Sequence, residues 1–509
     1  MREVLRRLLS QTLAVAAVAV PSPVLAGDWA DPTVLFADGE YAALATSGEW
    51  APSMRVLRSP DLQQWRITGA VFRSPPRWVQ STIWAPELTR LGSGYAVFYS
   101  GLPRTSETAY CLGVATAPTP EGPWKDLGRP LRCGESGSID PFPVRDEQGR
   151  LNLLWKGNAN RLGRPTPIYS QLLSEDARRL LGRPRELIRN NRPWERKVVE
   201  APAVIRRDDG FFYLFYSGAL CCTPPCQYAV GVARSRRLMG PWRKFSGNPI
   251  LRSGNGWRCP GHTSIADDGM GNLTAVFHAY RSGDGFLAGR QLLTAPLTFD
   301  VDGWPEIGDG RPPPPAPGAA STAFSDAFDG QLATEWEWPL NRVPGRATGA
   351  GLTLSAPARE RDGDRVSDRL DGGVLARRLG TVSYTATAVI DRRALRGDAA
   401  GGLSSYKNGN ELIGVAADRR RVVVWQRNEG RGRLLATATT PASAKVHLRM
   451  VARGRRFFFD VSPDGVTWRR VGSTVRTPVT ETARLALTAG GERRAEVRFL
   501  SAELAELER

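Results

Sequence analysis

One phrase, repeated with variation, constrains this chain more than any other feature. An acidic residue set against proline or Ala-Pro stands at Asp31-Pro32, in Trp84-Ala85-Pro86-Glu87, at Asp140-Pro141 and in Glu200-Ala201-Pro202. A fifth opening follows at Gly261-His262-Thr263-Ser264, and the spacing averages about 55 residues. Behind the openings come apolar runs that end on small residues, at Tyr95–Gly101, Leu151–Gly157 and Phe211–Gly218. A further strand-like phrase recurs as Leu112-Gly113-Val114-Ala115 and Val230-Gly231-Val232-Ala233, and two units close on Gly-Pro-Trp at 122–124 and 240–242. Helix-period patterns are scarce, whereas short apolar runs bounded by Gly, Pro, Asp and Asn dominate, which is an all-β signature. A repeat of this length cannot bury both of its faces alone and must pack on its neighbours. Closing five such units around an axis hides most sheet edges. The expectation is a five-bladed β-propeller over residues 27–310, with two stacked sandwiches as the competing architecture.

The segments flanking the repeats differ in character. Met1–Ala26 carries Arg2, Arg6 and Arg7, then an apolar stretch and the small-residue end Val24-Leu25-Ala26, the pattern of a secretory leader cleaved after Ala26. It is too short to favour a membrane span, and no later run offers one; a secreted or periplasmic location follows. Residues 311–320 hold four consecutive prolines, which lack ladder donors and favour stiff extended chain, so they read as a linker. Beyond it, strand-like runs separated by turns over 321–509 predict a separate β-sandwich. Within it, Ser462-Pro463-Asp464-Gly465 before Val466-Thr467-Trp468 reads as a structural turn.

Charge and cysteine narrow the chemistry. The net charge of +18 is mostly arginine scattered along both halves. No zinc-finger spacing, recognition-helix signature or lysine-rich arm accompanies it, so a nucleic-acid partner is not expected. Six cysteines in an exported chain allow fifteen pairings. Cys111 with Cys133 is a local staple by spacing. Cys221, Cys222 and Cys226 fit either disulfides or a metal, and with three histidines in the chain the structural reading is preferred.

In a propeller, equivalent positions of different blades converge at one end of the axis. Asp31, Asp140 and Glu200 hold such positions. Carboxyl groups crowded together repel, so one keeps its proton near neutrality. Cleavage of a glycosidic bond needs this division of labour, one carboxylic acid and one carboxylate. Glu87 is the remaining acid of the set, either packed in its strand or contacting a substrate hydroxyl. Trp84, Phe142 and Trp155 stand near the openings as candidate sugar-lining aromatics.

The ordered phrases Asp31-Pro32-Thr33, Trp84-Ala85-Pro86-Glu87, Ser138-Ile139-Asp140-Pro141, Val199-Glu200-Ala201-Pro202 and Gly261-His262-Thr263-Ser264 resemble those of glycoside hydrolase family 43. The resemblance implies an inverting mechanism with Asp31 as general base, Glu200 as general acid and Asp140 as the carboxylate that tunes the acid. It implies that His262 lies near the axis, where some members hold calcium or sodium, with no cofactor required for the chemistry. It implies that Arg290 contacts substrate or supports the acid, and it matches His278 to a last-blade phrase. Phe328-Asp329-Gly330, Trp336-Glu337-Trp338 and Tyr406-Lys407-Asn408 resemble the concanavalin-like sandwich that follows the propeller in β-xylosidases and arabinofuranosidases of that family. The implied partner is a glycan, cut at terminal α-L-arabinofuranosyl or β-D-xylosyl units. An endo-arabinanase, a galactose-directed glycosidase and a non-catalytic secreted glycan-binding protein are the alternatives.

Overall fold

The computed structural model describes residues 22–316, 319–342, 345–357 and 370–508. Five antiparallel sheets, each with four main strands, come first, and two larger sheets follow. The five blades run inner to outer from Thr33–Ala37, Val79–Leu91, Ser138–Arg145, Val199–Arg206 and Trp257–Asp267. These innermost strands neighbour one another in a ring, the fifth returning against the first. The expected five-bladed propeller is therefore present.

Local sequence explains the blades. The second strand of blade IV, Phe212–Gly218, is buried along its whole length, as is Leu151–Gly157 in blade III. Both faces pack on neighbouring blades, so these strands read as continuous apolar runs rather than alternating ones. The glycines of the repeated phrases make room for tryptophan. A Cβ on Gly218 or Gly231 would stand 2.6 or 2.5 Å from the Trp194 ring, and one on Gly113 would meet both Tyr99 and Trp78. The two Gly-Pro-Trp phrases also act alike: Trp124 Nε1 donates to Pro120 O (3.2 Å) and Trp242 Nε1 to Leu238 O (2.9 Å).

The first twenty-one residues of the expected leader lie outside the described residues. Residues 22–26 do not stand apart from the fold. Val24 N donates to Leu292 O (3.0 Å), Leu292 N to Leu25 O (3.1 Å), and Ser22 Oγ to Pro313 O (3.1 Å). Val24 is buried, and this segment lies along the outer part of blade V. The proline-rich segment is likewise tied down: Asn255 Nδ2 and Trp257 Nε1 donate to the carbonyls of Pro312 and Pro313.

The second unit is a sandwich of a nine-stranded and a six-stranded sheet. Its core is continuous with that of blades I and II, where Leu44, Val56 and Tyr99 join Trp336, Trp338 and Leu354 in one buried cluster. Trp338–Pro339 pairs as a short strand with Trp50–Ala51 of blade I. The Asp464 turn forms as expected, with Asp464 Oδ1 accepting from Val466 N and Thr467 N.

Between the two units lies a buried ionic cluster. Glu337 Oε1 accepts from Arg378 Nε (3.0 Å) and Nη2 (2.7 Å), and Oε2 accepts from Arg484 Nε at 2.6 Å. Arg55 of blade I lies 4.0 Å from the same carboxylate and donates to Trp336 O. Burial alone would raise the Glu337 pKa, but the arginines outweigh it and hold the carboxyl at about 2. Replacing one member of such a buried cluster leaves the other charges uncompensated and costs about 3–5 kcal/mol. Glu337→Gln is therefore expected to lower Tm markedly, as scanning calorimetry would show. Because the folded-state pKa is depressed, this stabilisation is present above the ordinary glutamate pKa and is lost as pH falls from there through about 2. The wild-type acid transition is expected to be steeper in that window than that of the variant.

Candidate active site

The five inner strands share one irregularity. Asp31, Ala85, Asp140, Ala201 and His262, one per blade, all carry positive φ, from 46 to 55°. The strand register shifts at this place in blades II to V. A non-glycine residue in the left-handed region costs about 1–2 kcal/mol, so something must hold each one. In every case the backbone N–H donates to a side chain of the preceding blade. Ala85 N reaches Thr46 Oγ1 (2.7 Å), Asp140 N reaches Ser100 Oγ (3.1 Å) and His262 N reaches Ser217 Oγ (2.9 Å). Asp31 N reaches His278 Nδ1 (3.0 Å), which closes the ring between blades V and I. Bulges of this kind re-aim side chains, and here they bring the acids of blades I, III and IV together at the axis.

The step from blade III to blade IV departs from the pattern. Where blades II and IV carry Ser100 and Ser217, blade III carries Lys156, which cannot accept a hydrogen bond. Asp140 Oδ2 takes over and accepts from Ala201 N (2.9 Å). Lys156, 2% exposed, turns to Glu200 and donates to Oε2 at 2.6 Å. Tyr228 Oη donates to the other oxygen, Oε1, at 2.8 Å. Burial and the charge of Glu200 hold the Tyr228 hydroxyl far above the usual range, so it stays a donor. Gly261 makes room for that ring, since a Cβ there would stand 2.2 Å from it.

The carboxyl groups sit in contrasting surroundings. Asp31 Oδ1 accepts from Arg290 Nη1 (2.9 Å) and Oδ2 from Thr46 Oγ1 (2.7 Å). Burial opposes its ionisation, but Arg290 above all drives the pKa far below the ordinary aspartate value. Asp140 goes the other way: burial, reinforced by the charge of Glu200 and opposed by His262 and Lys156, pushes it up to about 6. One aspartate is thus an anion at any working pH, while another exchanges its proton near neutrality.

The remaining expected site residues divide. Trp84 lines the mouth of the site with Thr46 and Arg290, in a cavity of about 210 Å³, and stacks on Tyr110 with centroids 4.0 Å apart. His278 is fully buried behind Asp31; burial, then Arg290, keeps it neutral, so Nδ1 serves as acceptor for the Asp31 amide. Phe142 packs between the blade cores, and Trp155, 1% exposed, lies in the core of blade III under Arg132; neither faces the acids. Glu87 is half-buried beside Thr33, and burial raises its carboxyl to about 8. His262 Nδ1 stands 3.4 Å from Asp31 Oδ1. Among the described residues, no three His, Cys, Asp or Glu side chains are grouped to hold a metal. Calcium takes six to eight oxygen ligands, and the carboxylate that His262 Nδ1 meets is already engaged by Arg290 and Thr46. These residues do not fit direct metal ligation.

Sequence reading missed Lys156 and Tyr228. For Lys156 a signal was present: it is the odd member of the repeated Tyr99-Ser100-Gly101, Trp155-Lys156-Gly157 and Tyr216-Ser217-Gly218. It also left open the role of the sandwich, which supplies Lys407, Glu481 and Arg484 to one wall of the mouth. Arg484 stacks on Trp50 (4.5 Å) and is held from behind by Glu337; Lys407 is braced by Glu411 and Glu481.

Comparison with known proteins agrees with this architecture. Residues 20–305 match the family model of glycosyl hydrolases family 43, and residues 325–489 match the β-xylosidase C-terminal concanavalin A-like domain. A xylan 1,3-β-xylosidase of Vibrio sp is 24% identical over 91% of this chain and 92% of its own length. An extracellular endo-α-(1→5)-L-arabinanase of Bacillus subtilis is 28% identical over 54% of this chain and 86% of its own. The fold is shared with the BlXynB protein of Bacillus licheniformis (TM-score 0.78, 20% identity, 96% of this chain and 99% of that one). It is shared too with a xylan β-1,4-xylosidase of Bacillus halodurans (TM-score 0.77, 18% identity, 96% and 100%). The propeller, its converging acids and these matches make this chain a glycosidase of glycosyl hydrolases family 43 that carries the concanavalin-like C-terminal domain.

Proposed function

We propose that the enzyme is an inverting exo-glycosidase that removes terminal α-L-arabinofuranosyl or β-D-xylosyl units from a glycan, working outside the cytoplasm. The observation that carries this reading is the split environment of the three acids. Asp31, kept anionic by Arg290, takes a proton from water as that water attacks the anomeric carbon. Glu200 gives its proton to the departing glycosidic oxygen as the bond breaks. Lys156 and Tyr228, both donating to Glu200, stabilise the carboxylate that this transfer leaves behind. Asp140 bears on the positive charge that develops on the sugar and on the proton of its neighbour. Each turnover consumes one water, and the acid is restored by the proton that Asp31 acquired, returned through solvent.

Two features favour attack at chain ends. The mouth is walled on one side by Lys407, Glu481 and Arg484 of the sandwich, whereas cleavage within a chain needs a groove open at both ends. The relatives that span both domains are named for xylosidase or xylosidase/arabinosidase activity. Among relatives matching the propeller, three are described as extracellular, in keeping with the leader-like N-terminus.

The roles of acid and base are separable by leaving group. Nitrophenolate departs without protonation, whereas a sugar hydroxyl does not. Glu200→Gln is expected to reduce kcat on xylo- or arabino-oligosaccharides by about a thousandfold or more, and far less on nitrophenyl glycosides; general acid catalysis alone is worth about 10²–10⁴-fold. Asp31→Asn is expected to depress both substrates alike. Steady-state kinetics on the two substrate types checks both statements.

A pH dependence follows from Asp140. Its proton is lost as pH rises through about 6. Since ionised Asp140 adds a like charge beside the carboxylate that the acid step leaves behind, kcat is expected to fall on the alkaline side with an inflection near that value. Asp140→Asn is expected to remove the inflection as well as to lower the rate, as a kcat–pH profile on an oligosaccharide would reveal.

A further inference from the structure

Cys221 and Cys222, adjacent in sequence, are joined in a disulfide. A disulfide stabilises a fold chiefly by closing a loop in the unfolded chain, an effect that grows with loop length. Cys111–Cys133 and Cys226–Cys259, separated by 22 and 33 residues, close such loops. A bond between neighbours closes none, so its position rather than loop closure must account for it. That position is the mouth of the active site. Cys222 lines the cavity with Trp84 and Arg290, and its Sγ lies 3.7 Å from Arg290 Nη1, the same atom that donates to Asp31. Cys221 rests on the apolar cluster of Tyr228, Cys259, Tyr280 and Phe286. The disulfide therefore rests on the cluster that contains Tyr228, the partner of the acid, and touches Arg290, the partner of the base.

We propose that the Cys221–Cys222 disulfide is a sugar-contacting wall of the pocket that takes an apolar C–H face of the terminal pentose; this rests on the glycosidase reading above. Its chemistry suits that task, since paired sulfurs are polarizable, lack strong donors and make good contacts with apolar surface. The geometry selects which sugar it meets. In an inverting site the base approaches from the face opposite the leaving group, so a wall abutting the Asp31–Arg290 pair borders the sugar being released. The disulfide is accordingly a determinant of affinity for the terminal unit and not of the leaving group.

The test is a calorimetric titration of methyl α-L-arabinofuranoside and methyl β-D-xylopyranoside into Glu200→Gln protein, with and without Cys221→Ala/Cys222→Ala. Loss of about 50 Å² of apolar contact predicts affinity weaker by about five- to tenfold for the preferred glycoside. Equal affinity in the two proteins overturns the proposal, as does binding of neither glycoside by the protein with its disulfide intact. Weakened binding combined with a wild type that cleaves neither sugar overturns the hydrolytic reading alone. Thermal melting checks the fold, and Cys221→Ser/Cys222→Ser replaces the alanine pair if that pair unfolds. In unaltered protein, saturating glycoside is expected to slow phosphine reduction and alkylation of Cys221 and Cys222 but not of Cys111 and Cys133. Equal rates with and without glycoside overturn the proposal.

Discussion

The ring of hydrogen bonds from blade to blade is the constraint on which the rest of this molecule depends. Five residues in the left-handed region each give their amide proton to a side chain of the blade before them. Each bond offsets local backbone strain and fixes the angle between neighbouring blades. The same bulges point Asp31, Asp140 and Glu200 at one another. Fold and site are therefore not separable, because the device that closes the propeller also assembles the acids. Asp140 shows this most directly, since one of its carboxyl oxygens replaces the serine hydroxyl used at the two flanking junctions.

That substitution also explains Lys156. Once Asp140 supplies the acceptor, the position after Trp155 is released from its structural duty, and a lysine there can reach Glu200. A buried cation against the acid offsets part of the crowding among three carboxyl groups. The sandwich contributes a second level of support. Glu337 gathers Arg55, Arg378 and Arg484 into one buried cluster, and Arg484 continues to Trp50 and the wall of the mouth. The tail is thus part of the pocket, and the proline-rich segment before it is pinned to blade V instead of serving as a free tether.

Much of this was legible in the sequence because repetition is legible. The phrases around Asp31, Asp140 and Glu200 mark equivalent places in equivalent blades, so blade number, order and the convergence of acids follow from spacing. The sandwich was readable from alternation and turns. What spacing cannot give is the side-chain direction within a strand. Trp155 and Lys156 are adjacent, and their side chains point to opposite faces; the tryptophan enters the core and the lysine reaches the site, the reverse of the expectation that the aromatic meets the sugar. His278, legible only as part of a last-blade phrase, accepts from the Asp31 amide, a contact between residues 247 apart in sequence. The pairing of Leu25 with Leu292 is likewise a tertiary contact without local signature.

The central claim is that Asp31 and Glu200 act on opposite faces of one terminal sugar. The configuration of the sugar first released tests this most directly. Proton NMR of the anomeric signal in the opening minutes of hydrolysis, before mutarotation, is predicted to show inversion: α-D-xylose from a β-D-xyloside, or β-L-arabinofuranose from an α-L-arabinofuranoside. Retained configuration would contradict the account, since it requires a covalent intermediate and makes one of these carboxylates a nucleophile instead of a base.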